Sequence, residues 1–212
     1  IRDRSGPDRI AVVTGRAHRA AVEDQLPGIA DHNVILESEP RDSAAAIGLA
    51  AAILHRREPD VIIGSFAADH VIRGTRVFEF AVRDAVEVAR EGYICTVGIA
   101  PSEPAVGFGY IKRGPELIVD GARDASLVER FVEKPDLDTA KQYLADRDYL
   151  WNAGMFISRA DVLLAEIAAN NPELHAGLVE LAEAWDDRDR RGPAVDRIWP
   201  TLPKIAIDYV VA

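Results

Sequence analysis

Apolar residues fall in short, evenly separated blocks along the first half of the chain. Arg9-Ile10-Ala11-Val12-Val13-Thr14 is a brief β-branched run stopped by Gly15, which predicts a buried strand. Residues 16–26 predict a helix halted by Pro27-Gly28, and Asn33-Val34-Ile35-Leu36 a second strand. Asp42 or Ser43 can cap an alanine-rich helix that runs to His55. Val61-Ile62-Ile63-Gly64-Ser65 predicts a third strand. Thr75 to Arg90, with apolar positions three and four apart, predicts a helix, and Tyr93 to Ile99 a fourth strand. Strands and helices that alternate over short connections imply a parallel, doubly wound sheet with right-handed crossovers. Ligands of such sheets bind at the carboxyl ends of the strands, so the polar residues just after each strand are the ones to follow.

The pattern changes in the second half. Residues 107–111 and 125–132 predict two strands joined by a turn at Asp120-Gly121, an antiparallel insertion on the open sheet. A helix from Asp138 to Ala145 leads to a strand at 149–157, then to helices near 159–169 and 173–185. Asp186 to Arg191 reads as a charged, solvated turn, and Ile205 to Val211 as an apolar, β-like run. The expected fold is therefore α/β: a Rossmann-like mixed, mainly parallel sheet flanked by helices, in one domain over residues 1–212.

Composition narrows the function. Of the 212 residues, 48% are hydrophobic and 28% charged, as in an ordinary globular protein. The single cysteine, Cys95, rules out an intrachain disulfide and suits a reducing cytoplasm. The longest apolar run, Ala44 to Leu54, is short of the roughly 18 to 20 residues a membrane span needs. A net charge of −10 disfavours a nucleic-acid partner. The chain opens without methionine on the polar Ile1-Arg2-Asp3-Arg4, and upstream residues are expected.

Several residues could carry chemistry. Asp69 follows a strand and two alanines, which leave room for a bulky ligand and a hydrated magnesium ion; it could equally be a loop or cap aspartate. Asp208 sits in an apolar run, where a carboxylate is costly to bury unless paired. It would avoid that cost on the solvated face of an alternating strand. In Glu133-Lys134-Pro135, Glu133 could accept from sugar hydroxyls and Lys134 could hold a phosphate; a surface ion pair before a turn is the plainer alternative. Asn152, in Trp151-Asn152-Ala153-Gly154-Met155, offers two donors and an acceptor to vicinal hydroxyls, or lies beside a β-bulge behind a core tryptophan. Gly109, in Gly107-Phe108-Gly109-Tyr110, could give a ligand bare backbone to pack on. No P-loop or dinucleotide fingerprint is present, and the five histidines lack metal-ligand spacing.

Taken in order, Glu39-Pro40-Arg41-Asp42-Ser43-Ala44, Ala68-Asp69-His70, Gly107-Phe108-Gly109-Tyr110, Phe131-Val132-Glu133-Lys134-Pro135, Trp151-Asn152-Ala153-Gly154-Met155-Phe156 and Ile207-Asp208-Tyr209 closely resemble the mannose-1-phosphate guanylyltransferase family. The resemblance runs from about Ile10 to the end of the chain. It implies a nucleotide-diphospho-sugar transferase fold whose antiparallel insertion binds sugar. It implies guanylyl transfer from GTP to mannose 1-phosphate, giving GDP-mannose, with Mg2+ as cofactor. Asp69 and Asp208 would match the two magnesium-binding aspartates, Glu133 and Asn152 the sugar-hydroxyl contacts, Lys134 a phosphate contact, and Gly109 the glycine against the sugar. Glu39, Arg41, Asp42 and Ser43 fall in the block associated with the guanine base. Asp42 and Ser43 stand where the family usually has asparagine and threonine. The family's opening glycine-rich loop, and the Pro-Lys pair that follows it, do not occur at the start of the chain. Another nucleotide or sugar phosphate, or a non-catalytic sugar-nucleotide-binding homologue, remain the alternatives, and a homodimer is left open.

Overall fold

A computed structural model describes residues 6–211, so the polar opening Ile1–Arg4 lies outside the described residues. The chain divides into two compact units. One comprises the chain up to Val61 together with Leu163–Val211, and the other Ile62–Val162.

In the first unit, β1 (Val12–Gly15) and β2 (Val34–Glu37) pair in parallel, joined through α1 (Arg19–Gln25). Alanine-rich α2 (Asp42–Arg57) follows and packs on α6 (Pro172–Trp185), which in turn packs on α7 (Arg188–Ile198). Small residues on α2 permit a close approach. A Cβ at Gly48 would stand 2.5 Å from Leu178 Cδ1. Ala45, Leu49, Ala52 and Ile53 of α2 are buried with Leu174, Leu178 and Leu181 of α6. Burying each of the leucine and isoleucine side chains contributes roughly 1.5–3 kcal/mol.

The second unit is built around one long strand, β7 (Tyr149–Arg159), in a five-stranded sheet. Ile157 pairs with both Gly64 of β3 (Ile62–Ser65) and Cys95 of β4 (Cys95–Ile99), so β3 and β4 flank β7 on opposite edges. Trp151 pairs with both Ile99 of β4 and Tyr110 of β5 (Gly109–Glu116), which places β5 end to end with β3 on one edge. β6 (Ser126–Glu133) completes the sheet beside β5. Helix α3 (Thr75–Arg90) connects β3 to β4, which run in the same direction, and packs on β7. Helix α4 (Leu137–Ala145) is held by an aromatic cluster in which Tyr143 stacks on Tyr149 at 3.9 Å and meets Tyr110 at 5.3 Å.

The α/β class is as expected, but a mainly parallel pairing holds only between β1 and β2. Every pairing in the five-stranded sheet is antiparallel, because β7 returns from the second half of the chain between β3 and β4. Two local readings are corrected. The expected charged turn over 186–191 leads into helix α7, capped by Asp187, whose carboxylate accepts from Asp189 N at 2.9 Å. The β-like run before the end forms no strand; it closes in a single helical turn, α8 (Asp208–Val211). α5 (Ala160–Asn170) follows β7 directly.

Candidate active site

In the second unit, three candidates meet on adjacent strands. Glu133 ends β6 and pairs with Gly109 at the start of β5. One step on from the Tyr110–Trp151 pair, the β5–β7 register sets Gly109 beside Asn152, and Asn152 in turn pairs with Gly98 of β4. Directly opposed residues point to the same face of a sheet. The result is a shelf on which Glu133 and Asn152 stand beside Gly109 and Gly98, with the Phe131 ring over buried Gly109 and Leu150 over Gly98. Tyr110 and Trp151, one residue along, face the other way toward α4. The shelf requires its glycines: a Cβ at Gly109 would lie 2.6 Å from Glu133 Oε2, and one at Gly98 would lie 2.5 Å from Leu150 Cδ1.

The exit from β6 holds Glu133 in place. Lys134 takes φ +48, a conformation that L side chains adopt rarely, and its N–H donates to Phe108 O at 3.2 Å. Its Nζ lies 3.0 Å from Glu133 Oε1. Pro135 is buried, and Asp136 then caps α4 by accepting from Thr139 N at 2.8 Å, which holds the Asp136 carboxyl below its ordinary pKa. Strain at a residue flanked by a cap and a buried proline is over-determined locally, which is where functional strain persists. Asp69 belongs to this unit too and is exposed in the turn that follows β3.

In the first unit the candidates surround the start of α2. Arg41 donates through Nη1 to Leu202 O at 2.9 Å and through Nη2 to Glu39 Oε1 and Pro200 O. Its guanidinium is mostly buried, and its Nε has no hydrogen-bond partner. Trp199 Nε1 donates to Glu39 O at 2.7 Å. Asp42 takes φ +68 and its carboxylate accepts from Ser43 N at 2.7 Å. Ser43 Oγ accepts from Ile207 N at 2.9 Å, and Ala44 N donates to Ile205 O at 3.1 Å. These bonds tether the segment that delivers half-buried Asp208 to the start of α2. Glu39, Arg41, Asp42, Ser43 and Asp208 therefore share one neighbourhood.

Among the described residues, no group of three or more His, Cys, Asp and Glu side chains is placed to hold a metal. Magnesium does not need one: a carboxylate or two, with substrate phosphates and waters, is its usual set. Asp69 is exposed and Asp208 half-buried, and each carries a carboxylate, the hard oxygen donor that magnesium prefers. The cavity of about 410 Å3 in the first unit, lined by Asp31, His32, Arg57, Asp186, Arg188 and Arg191, contains none of the candidates. There Arg57 is locked by Asp186 Oδ1 at 2.6 Å and Asn33 Oδ1 at 3.0 Å. Two residues of the shelf escaped the sequence reading, Gly98 and its neighbour Thr96. Both lie inside the strand predicted from Tyr93 to Ile99, and the bulge that aligns them with Asn152 leaves no periodic trace.

The sequence model of nucleotidyl transferases matches residues 3–192. The chain belongs to the nucleotidyl transferase family. Among relatives of this nucleotidyl transferase, the mannose-1-phosphate guanylyltransferase of Klebsiella pneumoniae is 38% identical over 202 residues, covering 94% of the chain and 43% of that protein. One from Salmonella typhimurium is 40% identical over 207 residues, with 94% and 42% covered. The chain thus spans less than half the length of these curated relatives. The structure of mannose-1-phosphate geranyltransferase from Thermus thermophilus superposes with a TM-score of 0.81 at 27% identity, over 99% of this chain and 57% of that one. Mannose-6-phosphate isomerase from Helicobacter pylori shares the fold, with a TM-score of 0.75 at 23% identity, over 95% and 77%. No helix among the described residues is long and apolar enough to cross a membrane.

Proposed function

We propose that the protein transfers a guanylyl group from GTP to mannose 1-phosphate, giving GDP-mannose and pyrophosphate, in the cytoplasm. The observation that carries this is the shelf: Glu133, an acceptor, and Asn152, an amide, stand together on one face of the sheet beside Gly98 and Gly109, a set suited to the hydroxyls of a hexose. Relatives named for this reaction support the choice of sugar and nucleotide.

The chemistry asks little of the protein beyond placement. A phosphate oxygen of the sugar phosphate attacks the α-phosphorus in line. The bond from that phosphorus to the oxygen bridging to the β-phosphorus breaks, and pyrophosphate leaves with the electron pair. The attacking phosphate is already ionised near neutral pH, so no general base is needed. The family's contribution is positioning and charge neutralisation. Lys134 would hold the sugar's phosphate and Glu133 its hydroxyls. Glu39, Arg41, Asp42 and Ser43 would form the border against the guanine base, with Arg41 shaping the loop from behind. Asp69 and Asp208 would each offer a carboxylate to magnesium, whose charge would offset that on the phosphate oxygens.

The test is turnover of the intact protein with each of the four NTPs against mannose, glucose and N-acetylglucosamine 1-phosphates, with and without magnesium. GTP with mannose 1-phosphate should be preferred, and chelation should abolish turnover. Preference for another pair would replace the substrates and keep the class. GDP-mannose binding with no turnover on any pair would make the protein a sugar-nucleotide-binding homologue instead.

A further inference from the structure

Asn152 lies at a break in the β4–β7 ladder. Between the Thr96–Phe156 and Gly98–Asn152 pairs, one residue on β4 faces three on β7. Such a bulge re-aims side chains. Gly154 closes it at φ +65, and its N–H points at Asn152 Oδ1 from 3.1 Å. A backbone N–H can only donate, so the atom it meets is the carbonyl oxygen of the amide and not its NH2 group. That assignment settles the second contact. Thr96 Oγ1 stands 2.6 Å from the same oxygen and must therefore be the donor. Both lone pairs of Oδ1 are engaged from within the sheet, and the plane of the amide is fixed.

We propose that Thr96 is a positioning residue: by donating to Asn152 Oδ1 it orients the amide so that Asn152 meets the sugar as a hydrogen-bond donor. The inference rests on the reading of Asn152 as a sugar contact. It assigns complementary recognition to the shelf, with Glu133 accepting and Asn152 donating. Hydroxyls can do both, so a vicinal pair bridges the two. Threonine suits the task better than serine because its β-branch restricts χ1 and keeps the hydroxyl aimed. Thr96 is half-buried in β4, and no reacting group need touch it.

Thr96→Val keeps the shape and removes the donor. In the intact protein, assayed with mannose 1-phosphate and GTP, it should raise KM for the sugar phosphate about tenfold, the effect of one lost hydrogen bond to a bound ligand. KM for GTP should hold, and Thr96→Ser should recover most of the loss. The decisive comparison is with Asn152→Ala: the double variant should be no worse than Asn152→Ala alone. An additive loss would mean that Thr96 acts through the fold, and would overturn the proposal. If Asn152→Ala leaves KM unchanged, the reading of Asn152 falls and the inference with it. The side-chain amide signals of Asn152 in the NMR spectrum of the unliganded protein give a readout independent of turnover. Thr96→Val should shift them and Thr96→Ser should restore them. Signals that stay in place in Thr96→Val would overturn the role of Thr96 even in a protein that proves inactive on these substrates.

Discussion

The two groups of candidate residues are held in opposite ways. Around the start of α2, the side chains bond to the chain itself: Arg41 bridges to Pro200 and Leu202, and Ser43 tethers Ile207. On the shelf, Glu133 and Asn152 stand beside glycines, and what restrains them is a strained turn at Lys134 and a bulge at Gly154. The first arrangement builds a rigid border whose parts are also structural. The second presents polar groups while committing little of the fold to them. A change in the first region should therefore register as stability, and a change in the second as binding.

Asp208 tests the limit of that division, because it sits among structural tethers and yet is assigned to the metal. Asp208→Asn should lower turnover by at least about 100-fold, the scale on which charge stabilisation of a transferring phosphoryl group is lost. The melting temperature should stay within a few degrees. Wild-type turnover would remove Asp208 from the metal site. Arg41→Ala comes next. It strands three carbonyl or carboxylate acceptors at a mostly buried site and should cost about 2–4 kcal/mol by denaturant unfolding. Arg41→Lys should recover little, since one ammonium cannot reproduce the fork. If Arg41→Ala instead leaves stability intact and only raises KM for GTP, the border is a binding surface like the shelf and the contrast disappears.

Gly109→Ala addresses the shelf. The added methyl meets the tip of the Glu133 carboxylate, which can swing aside, and the edge of the Phe131 ring at 3.1 Å, which must give by a few tenths of an ångström. The fold should survive, with stability changed by less than about 1 kcal/mol. KM for the sugar phosphate should rise about tenfold as Glu133 moves out of register. Unfolding at that position would show that Gly109 is core packing rather than part of a ligand surface.

How much of this could be read from the chain depends on whether the information is local. Helix 75–90 is legible to the residue because its apolar spacing is regular along its whole length. Helix α7 is not, because it opens on Arg188-Asp189-Arg190-Arg191-Gly192-Pro193 and its buried face, Ala194, Val195 and Ile198, comes only at its end. The run before the C-terminus reads as a strand because Ile205, Ile207, Val210 and Val211 favour β structure, yet tethers to Ser43 and Ala44 decide its path. Pairing across β7 joins residues far apart in sequence, so no period reports that it is antiparallel. The same holds for the site. Glu133, Asn152 and Gly109 are ambiguous one by one, and only their order suggested a common role. Thr96 and Gly98 needed the register of the sheet.

The smallest expected effect concerns the underside of the shelf. Cys95 precedes Thr96 and turns to the opposite side, where Sγ donates to Ala85 O of α3 at 3.5 Å. Burial there pushes the thiol from 9.0 up to about 11. The thiolate is the reactive form, so at pH 8 the folded protein should alkylate much more slowly than the denatured chain. The linkage has a definite sign. Above pH 9 the unfolded state loses this proton while the folded state keeps it, so stability should fall as pH rises from about 9 to 11 and be unaffected by Cys95 below that window. Cys95→Ala should remove this dependence from denaturant unfolding measured across that range. Alkylation at the rate of the denatured chain would mean that β4 parts readily from α3. A strand that mobile could not hold Thr96 against Asn152, and the contrast between a tethered border and a presented but fixed shelf would reduce to one between a rigid region and a loose one.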